Sequence, residues 1–201
     1  MSELAVLQAV RLKGRVSEAN LAATLCEQPA IVALTVNELA KAGLLASGKT
    51  LKITADGRQR LSELLAEERD GIDSAAVAAA YDEFRSVNPE FKALVSDWQL
   101  KDGQPNTHDD AGYDTAVLAR LPTVHEQVSQ ILETAIVPLP RLRGYAEKLG
   151  AALARVNAGD VTWLTSPLID SYHTVWFELH EELILAAGLT REAEAKAGHA
   201  Q

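Results

Sequence analysis

The sequence predicts a mainly α-helical protein, with three helices and a β-hairpin at the N-terminus followed by an all-helical region. Apolar residues recur at helical spacing over most of the 201 residues. One short segment near the N-terminus instead alternates apolar and polar residues next to a glycine. With 47% hydrophobic and 23% charged residues, the composition is that of a folded protein and argues against disorder.

Three helices are expected before the alternating segment. The first covers residues 4–13 and ends at Gly14, a residue typical of helix ends. The second covers residues 18–25 and follows Ser17, whose hydroxyl is suited to accept a hydrogen bond from the first turn. The third covers residues 29–42 and starts with a proline, because the missing N–H group is not needed at that position.

A β-hairpin is expected next. Residues 44–47 and 50–53 flank Gly48-Lys49, and the second of these segments has the alternation of a half-buried strand. Thr54 is suited to cap the fourth helix that follows. The order helix, turn, helix, hairpin, helix is that of a winged helix-turn-helix, in which the hairpin is the wing.

Two segments around the hairpin carry a family resemblance. Residues 36–45 read VNELAKAGLL and residues 51–58 read LKITADGR. They resemble the segments L-x-x-x-G-L-(I/V) and (V/L)-x-(I/L)-T-x-x-G-(R/K) that border the wing in bacterial regulators of the MarR type. The resemblance covers residues 4–69, and it implies a DNA-binding domain over residues 1–69. Residues 70–201 are then expected to form an all-α dimerisation or effector domain, whereas MarR proteins place dimerisation helices at both ends.

The resemblance implies that the helix over residues 29–42 enters the major groove of DNA. Gln28 and Asn37 carry amides suited to adenine edges, and Ala30 can lie against a thymine methyl group. Lys41, Lys49 and Arg58 are suited to phosphate. The residues predicted to contact DNA are Gln28, Ala30, Asn37, Lys41, Lys49 and Arg58.

The same helix face departs from the family at Ala33-Leu34, where many members carry Ser, Arg or Thr. Weak base readout is therefore expected, and the alternative is a winged helix that serves packing or protein contact. Charge favours the DNA-binding interpretation modestly. Residues 1–66 hold eight Lys and Arg against six acids, a net charge of +2, whereas the remaining residues carry −11.

The C-terminal region is predicted to be helical, with a break at Asn88-Pro89 and a polar surface loop over residues 101–114. The acidic helix ends, Glu181-Glu182 and residues 192–194, are expected to be solvated. The expected helices cover residues 74–87, a segment from 89 to about 98, and residues 116–120, 122–136, 139–156 and 166–187, with a short segment capped by Thr190.

Two histidines fall within an apolar stretch of the last long helix. His173 and His180 are seven residues apart, so they share one helix face, and Trp176 lies between them. Three alternatives remain open: a metal site, a small-molecule effector pocket, or histidines that only pack in a core. The spacing is not that of a metalloprotease motif, and no metal site is predicted. The effector-pocket residues predicted are His173, Trp176, His180 and His125.

The apolar arc of that helix is wider than one core face needs. A homodimer held by the C-terminal region is therefore expected, which also suits paired DNA half-sites.

Several classes of protein are not expected. No Gly-rich phosphate loop, nucleophile elbow or metalloprotease motif occurs, so neither an enzyme nor a cofactor is predicted. No apolar run approaches the roughly 20 residues of a membrane span. The first residues lack an export signal, and the single cysteine, Cys26, rules out an internal disulfide. The expected location is cytoplasmic.

A second resemblance supports a different interpretation of the helical region. The segment from Trp98 to Glu181 is similar to a region of actinobacterial proteins associated with phosphoenolpyruvate-utilising dikinases. It implies a regulatory or partner-docking unit. Two hypotheses therefore follow from the sequence: a DNA-binding transcription regulator, and a non-catalytic protein-interaction module with a degenerate winged helix.

Overall fold

A computed structural model describes residues 1–198 and divides the chain into two compact units, Met1–Ile72 and a second that begins at Asp73. The described residues are mostly helical, with two small antiparallel sheets of two strands each. The prediction of a mainly α-helical protein is thereby confirmed.

The first unit contains four helices and one hairpin. Ser17 caps the second helix, because its hydroxyl accepts a hydrogen bond from the Asn20 amide, and Thr54 caps the fourth in the same way through Gly57. Both caps confirm the sequence prediction. The elements are α1 (Glu3–Lys13), α2 (Glu18–Thr24), α3 (Pro29–Lys41), β1 (Leu45–Ala46), β2 (Lys52–Ile53) and α4 (Ala55–Asp70).

The hairpin is shorter than predicted but has an added partner. Leu45 pairs with Ile53 and Ala46 with Lys52. Val16 forms an isolated bridge with Leu51, which extends the pairing by one position. The side chains that point inward along this edge are aliphatic and complete a core made by α1, α3 and α4. Its buried members include Val6, Leu7, Val10, Val16, Leu21, Val32, Val36, Leu39, Leu45, Leu51, Ile53, Leu61 and Leu65.

The start of α4 is fixed tightly against the end of α3. The Thr54 hydroxyl donates to the Gly43 carbonyl at 2.7 Å and accepts from the Gly57 amide at 3.0 Å. A Cβ atom at Gly57 would lie 2.1 Å from the Leu44 carbonyl oxygen. The spacing T-x-x-G in the sequence therefore has a steric cause, since only glycine allows this approach.

The second unit packs helices against helices. Its longest helix, α5, lies against α7 and α10, and α8 lies against α7 and α10. The elements are α5 (Ser74–Gln99), β3 (Leu100–Lys101), β4 (Gln104–Pro105), α6 (Ala111–Leu118), α7 (Leu121–Ala135), a 3-10 turn (Pro140–Leu142), α8 (Arg143–Asn157), α9 (Thr162–Thr165), α10 (Tyr172–Ala186) and α11 (Arg191–Lys196).

Three predicted helix boundaries in this unit are wrong: a break at Pro89, a start at residue 116, where α6 already begins at Ala111, and a start at residue 166. Pro89 lies inside α5 and does not break it. The helix buries Phe84, Asn88 and Phe91 on one continuous face, and this burial outweighs one missing backbone hydrogen bond. The last long helix starts at Tyr172, after a cap by Ser171, and not at residue 166.

The predicted polar loop over residues 101–114 contains a second hairpin and the start of α6. Leu100 pairs with Pro105, and the turn between the strands is Asp102-Gly103. Both turn residues have positive φ, 53° and 75°. Asp-Gly is a favoured pair for such a turn, so the hairpin had a sequence signal that the prediction missed.

Within residues 1–198, no single helix has the length and apolar content of a membrane span. Together α2 and α3 meet that test by length and composition, but they are bent by 115° relative to each other.

Candidate functional site

The first candidate site is built by α2, α3 and the first hairpin. The 115° bend between α2 and α3 lies in the range of helix-turn-helix pairs, as does the four-residue connection over residues 25–28. Cys26 adopts a left-handed backbone with φ of 53°, and its amide donates to the Ala23 carbonyl at 3.1 Å. This conformation ends α2 sharply and turns the chain into α3.

Helix α3 has one buried side and one exposed side. Val32, Val36 and Leu39 point into the core of the first unit. Ala30, Leu34, Asn37 and Lys41 are three or four residues apart, so they form a row along the opposite side, and each of them is exposed. We call this row the α3 face. Gln28, at the N-cap, is also exposed, whereas Ala33 is half-buried.

The cations predicted to contact phosphate are accessible. Lys41, Lys49 and Arg58 are exposed, and Lys52 points outward from β2. Within residues 1–198, none of these four side chains forms a hydrogen bond or ion pair. Arg60, by contrast, is held by Glu3, with its two nitrogens 3.2 and 3.3 Å from the carboxylate oxygens. The Arg15 side chain is likewise exposed and unpaired within residues 1–198, so the first unit has five described cations that can meet an external anion.

The centre of the α3 face is apolar. Leu34 is 68% exposed, and its neighbour Ile31 is 38% exposed. Neither side chain can donate or accept a hydrogen bond from a base edge. The polar groups able to read bases are the amides of Gln28 and Asn37, one near each end of the helix.

The second candidate site is a groove of about 240 Å³ between α5 and α10 in the second unit. It brings together His173, Trp176 and His180, three of the four residues predicted for an effector pocket. The fourth, His125, does not line it. The His125 ring instead lies edge-on to Tyr172, with Nδ1 3.2 Å from the phenol oxygen. We call this the aromatic groove; its other lining residues are Asn88, Phe91, Lys92, Val95, Ser96, Gln99 and Phe177.

His180 and Asn88 are buried polar residues that line the aromatic groove, and they differ in their hydrogen bonding. The Asn88 side-chain oxygen accepts a hydrogen bond from a tryptophan indole at 2.9 Å. The His180 ring lies 5.1 Å from the Phe84 ring and 6.0 Å from the Tyr81 ring. Its Nε2 atom is buried with no hydrogen-bond partner within residues 1–198. Burial, and then the positive charge of Arg191, lower the pKa of His180 to about 4, so the imidazole is neutral at neutral pH.

His173 and His125 differ from His180 in exposure. His173 is exposed and lies 6.1 Å from the Phe91 ring. Burial also lowers the pKa of His173 and of His125 below the ordinary value. Within residues 1–198, no group of three or more His, Cys, Asp or Glu side chains is arranged to hold a metal ion.

The sequence prediction missed a set of buried carboxylates on α10. The prediction that Glu181 and Glu182 are solvated is wrong, since they are 7% and 3% exposed, and Glu178 is 3% exposed. Each of the three is paired with a cation. Their partners are Lys148 for Glu178 at 3.6 Å, Arg191 for Glu181, and Arg141 for Glu182, which also accepts from the Tyr145 hydroxyl at 3.2 Å.

Glu194, also predicted to be solvated, is 7% exposed and accepts a hydrogen bond from the Tyr81 hydroxyl at 2.6 Å. One signal that could have identified Glu178, Glu181 and Glu182 is their position within the apolar arc of α10, and the other is their closeness to cations on other elements. Only the second signal requires the fold, because the partners of Glu182 lie about forty residues earlier in the chain.

The two candidate sites differ in the chemical groups that they present to a binding partner. The α3 face presents an open row with free cations beside it, and the aromatic groove presents an apolar hollow with one buried, unpartnered nitrogen. No protein-family model matches the chain, and neither does any curated protein or solved structure. The function is therefore argued from the residues and geometry of these two sites.

Proposed function

We propose that the chain is a DNA-binding transcription regulator, and that its first unit is a winged helix-turn-helix that binds duplex DNA through the α3 face. The observation that carries the proposal is the exposed α3 face, which has no partner within its own unit and lies in the unit whose described residues include five free cations. The 115° bend between α2 and α3 and the order of the elements support the same assignment.

The proposed contacts divide into phosphate and base contacts. Lys41, Lys49, Lys52 and Arg58 bind phosphates, and the amides of Gln28 and Asn37 meet base edges. Ala30 and Leu34 add apolar contact to thymine methyl groups. Because only two side chains carry hydrogen-bonding groups to the bases, most of the affinity is electrostatic and the preference among sequences is modest.

The proposed regulator acts as a homodimer in the cytoplasm, which lets two α3 helices read half-sites about one helical turn apart. The width of the apolar arc of α10 no longer supports this part of the proposal, since α10 buries eleven of its fifteen residues inside its own unit. The remaining support is an argument from affinity. Two half-site contacts that are each weak bind DNA more tightly when one dimer links them.

The proposal is tested by titrating the protein into a fluorescent 30-base-pair duplex drawn from a pool of random sequence. The binding constant K is measured at several salt concentrations. Four phosphate contacts per unit predict a slope of about −4 for log K against log salt, and about twice that for a dimer. The variant K41Q/K49Q/K52Q/R58Q should flatten the slope toward zero. All four residues are exposed, so folding should be unaffected.

A matched control is the variant K101Q/K196Q in the second unit, which should bind DNA as the wild type does. Asn37→Ala should reduce the preference among sequences selected from the pool more than it reduces binding to random DNA. Absence of binding at 50 mM salt would contradict the proposal, and so would an unchanged slope in the quadruple variant.

One observation favours a second candidate function, a non-catalytic protein-interaction module. Leu34 at 68% exposure and Ile31 at 38% form an apolar centre that a protein surface can cover better than a DNA groove can. The second resemblance suggests a phosphoenolpyruvate-utilising dikinase as the partner. Indifference to DNA at low salt, together with loss of complex formation in Leu34→Ser, would favour this function.

A further inference from the structure

The first hairpin has a third strand segment on the side of β2 that faces away from β1. The Val16 amide donates to the Leu51 carbonyl at 3.3 Å, and the Leu51 amide donates back to the Val16 carbonyl at 2.7 Å. In an antiparallel ladder with this register, Arg15 lies opposite Lys52. On its other side, Lys52 pairs with Ala46. Three residues therefore lie side by side across three strand segments.

The two sides of this small sheet differ in polarity. Val16 and Leu51 are buried and belong to the core of the first unit. Successive side chains of a strand point to opposite sides, so Arg15 and Lys52 point away from that core. Both are exposed, and so is Ala46. We call the row formed by Arg15, Lys52 and Ala46 the sheet face.

Both cations of the sheet face are free to meet an external anion. Within residues 1–198, neither the Arg15 side chain nor the Lys52 side chain forms a hydrogen bond or ion pair. Like charges that lie directly opposite each other on neighbouring strands destabilise a sheet. An anion that binds between these two cations relieves their repulsion, so the pair gains more from such binding than one isolated cation would.

We propose that the sheet face binds the phosphate backbone of duplex DNA, and that Arg15 is a fifth phosphate contact of the first unit. This inference rests on the proposed function. It adds the surface by which the hairpin meets DNA, namely the outer side of the sheet together with the cation at the hairpin tip.

The tip of the hairpin offers less charge than the sheet face. Of the five residues that connect Ala46 to Lys52, the exposed ones are Ser47, Gly48 and Lys49, with a single cation among them. The sheet face places two cations on neighbouring strands, which lie about 4.8 Å apart. One DNA strand carries a charge for about every 3.4 Å of helix axis. Two long side chains at this spacing can therefore reach neighbouring phosphates of one strand.

The sheet face is tied to the C-terminal end of α3. The Leu44 amide donates to the Leu39 carbonyl at 2.9 Å, which holds the connection from α3 to β1 against the helix end. The Thr54 hydroxyl joins the end of β2 to the same connection by donating to the Gly43 carbonyl. Lys41 lies at this end of α3. The cations of α3 and of the sheet face therefore belong to adjoining parts of one unit, as contacts along one duplex require.

The test measures the slope of log K against log salt for the full-length protein and the random 30-base-pair duplex. Arg15→Gln should reduce the slope by about 1 per unit and weaken binding about tenfold at 50 mM salt, because one phosphate contact is lost. Arg15→Lys keeps the charge and should keep both the slope and the affinity within twofold. Arg15 is exposed, so circular dichroism should show the wild-type fold in both variants.

A gain of charge at the third position of the sheet face gives an independent measurement. Ala46→Lys places a cation beside Lys52 and should steepen the slope by about 1 per unit and tighten binding about tenfold at 50 mM salt. Ala79→Lys, on an exposed position of α5, is the matched control and should change neither quantity.

The outcomes separate this inference from the proposed function. If the wild type binds DNA with a steep slope but Arg15→Gln binds with the same slope and affinity, the inference is overturned and the proposed function stands. An equal loss in Arg15→Lys and Arg15→Gln would also overturn it, because a phosphate contact depends on charge. If the wild type does not bind DNA at 50 mM salt, the proposed function fails and this inference fails with it.

Discussion

The two units differ most in their use of aromatic residues. All three tryptophans, four tyrosines and three phenylalanines of the sequence fall after residue 72, so the apolar core of the first unit is aliphatic. The second unit stacks its rings along α5 and α10, for example Phe84 on Trp176 at 4.9 Å. The aromatic groove lies between these two ring-bearing helices.

Helices α3 and α10 show the same contrast in their polar groups. Helix α3 buries only three of thirteen residues and leaves its cation unpaired within the described chain. Helix α10 buries eleven of fifteen, and its buried carboxylates all have cationic partners. A helix whose charges are neutralised inside its unit serves stability, and a helix that leaves a face without partners is available for an external one.

Glu182→Gln should destabilise the second unit by about 3 kcal/mol, because it removes the buried negative charge that pairs with Arg141. Urea unfolding followed by tryptophan fluorescence measures this cleanly, since every tryptophan lies in the second unit. The control Glu192→Gln removes one carboxylate of an exposed pair and should cost less than about 0.5 kcal/mol. Equal losses of stability in the two variants would contradict the proposed difference between the buried ion pairs of α10 and an exposed pair.

Gly57→Ala should destabilise the first unit by about 2–3 kcal/mol, because a Cβ there meets the Leu44 carbonyl oxygen at 2.1 Å. Far-ultraviolet circular dichroism or amide hydrogen exchange is the measurement, since the first unit has no fluorophore of its own. The control Gly48→Ala, in the turn of the first hairpin, meets nothing within 4 Å and should have a small effect. Tryptophan fluorescence should report no change for Gly57→Ala.

These two positions show what the sequence can and cannot predict. Thr54 predicted a helix start from its own capping chemistry, and the Ser17 cap was equally local. The ion pair and hydrogen bond of Glu182 were not predictable, because its partners Arg141 and Tyr145 come from a different part of the chain. Pro89 misled the prediction for the same reason, since the packing that keeps α5 continuous is supplied by α7 and α10.

In the candidate sites, too, the sequence predicted what depends on one helix and missed what depends on the fold. The exposure of Gln28, Asn37 and Lys41 followed from helical spacing, because one apolar side fixes which side faces outward. The aromatic groove was predicted from the sequence only in part. His173, Trp176 and His180 share one helix and were found together, whereas the α5 wall needed the fold, and His125 was grouped with them although it lies elsewhere.

Acidification should weaken the second unit through His180. Burial, and then Arg191, lower the pKa of His180 to about 4, whereas Glu181 and Glu194 raise it and Lys92 lowers it slightly. The unfolded chain takes up this proton at about pH 6.5 and the folded chain only near pH 4. Stability is therefore full above about pH 6.5 and falls as the pH drops toward 4, by up to about 3 kcal/mol from this group.

His180→Phe keeps a ring beside Phe84 and removes the titrating group. Urea unfolding of the variant between pH 7 and pH 4, followed by fluorescence, should show a shallower loss of stability than the wild type. Some loss should remain, because burial also lowers the pKa of His125 and His173. Parallel pH profiles for variant and wild type would show that His180 does not cause the effect.

The smallest effect on stability, and the sharpest on binding, is expected from Leu34→Lys. Leu34 is 68% exposed, so the change should alter the free energy of unfolding by less than about 0.5 kcal/mol. If the α3 face meets DNA, the added cation should tighten binding to random duplex and steepen the salt slope by about 1 per unit. Ala79→Lys adds the same charge on an exposed position of α5 and should leave DNA binding unchanged. A protein partner on the α3 face would give the opposite result, since a lysine in place of Leu34 disrupts an apolar contact and weakens that complex.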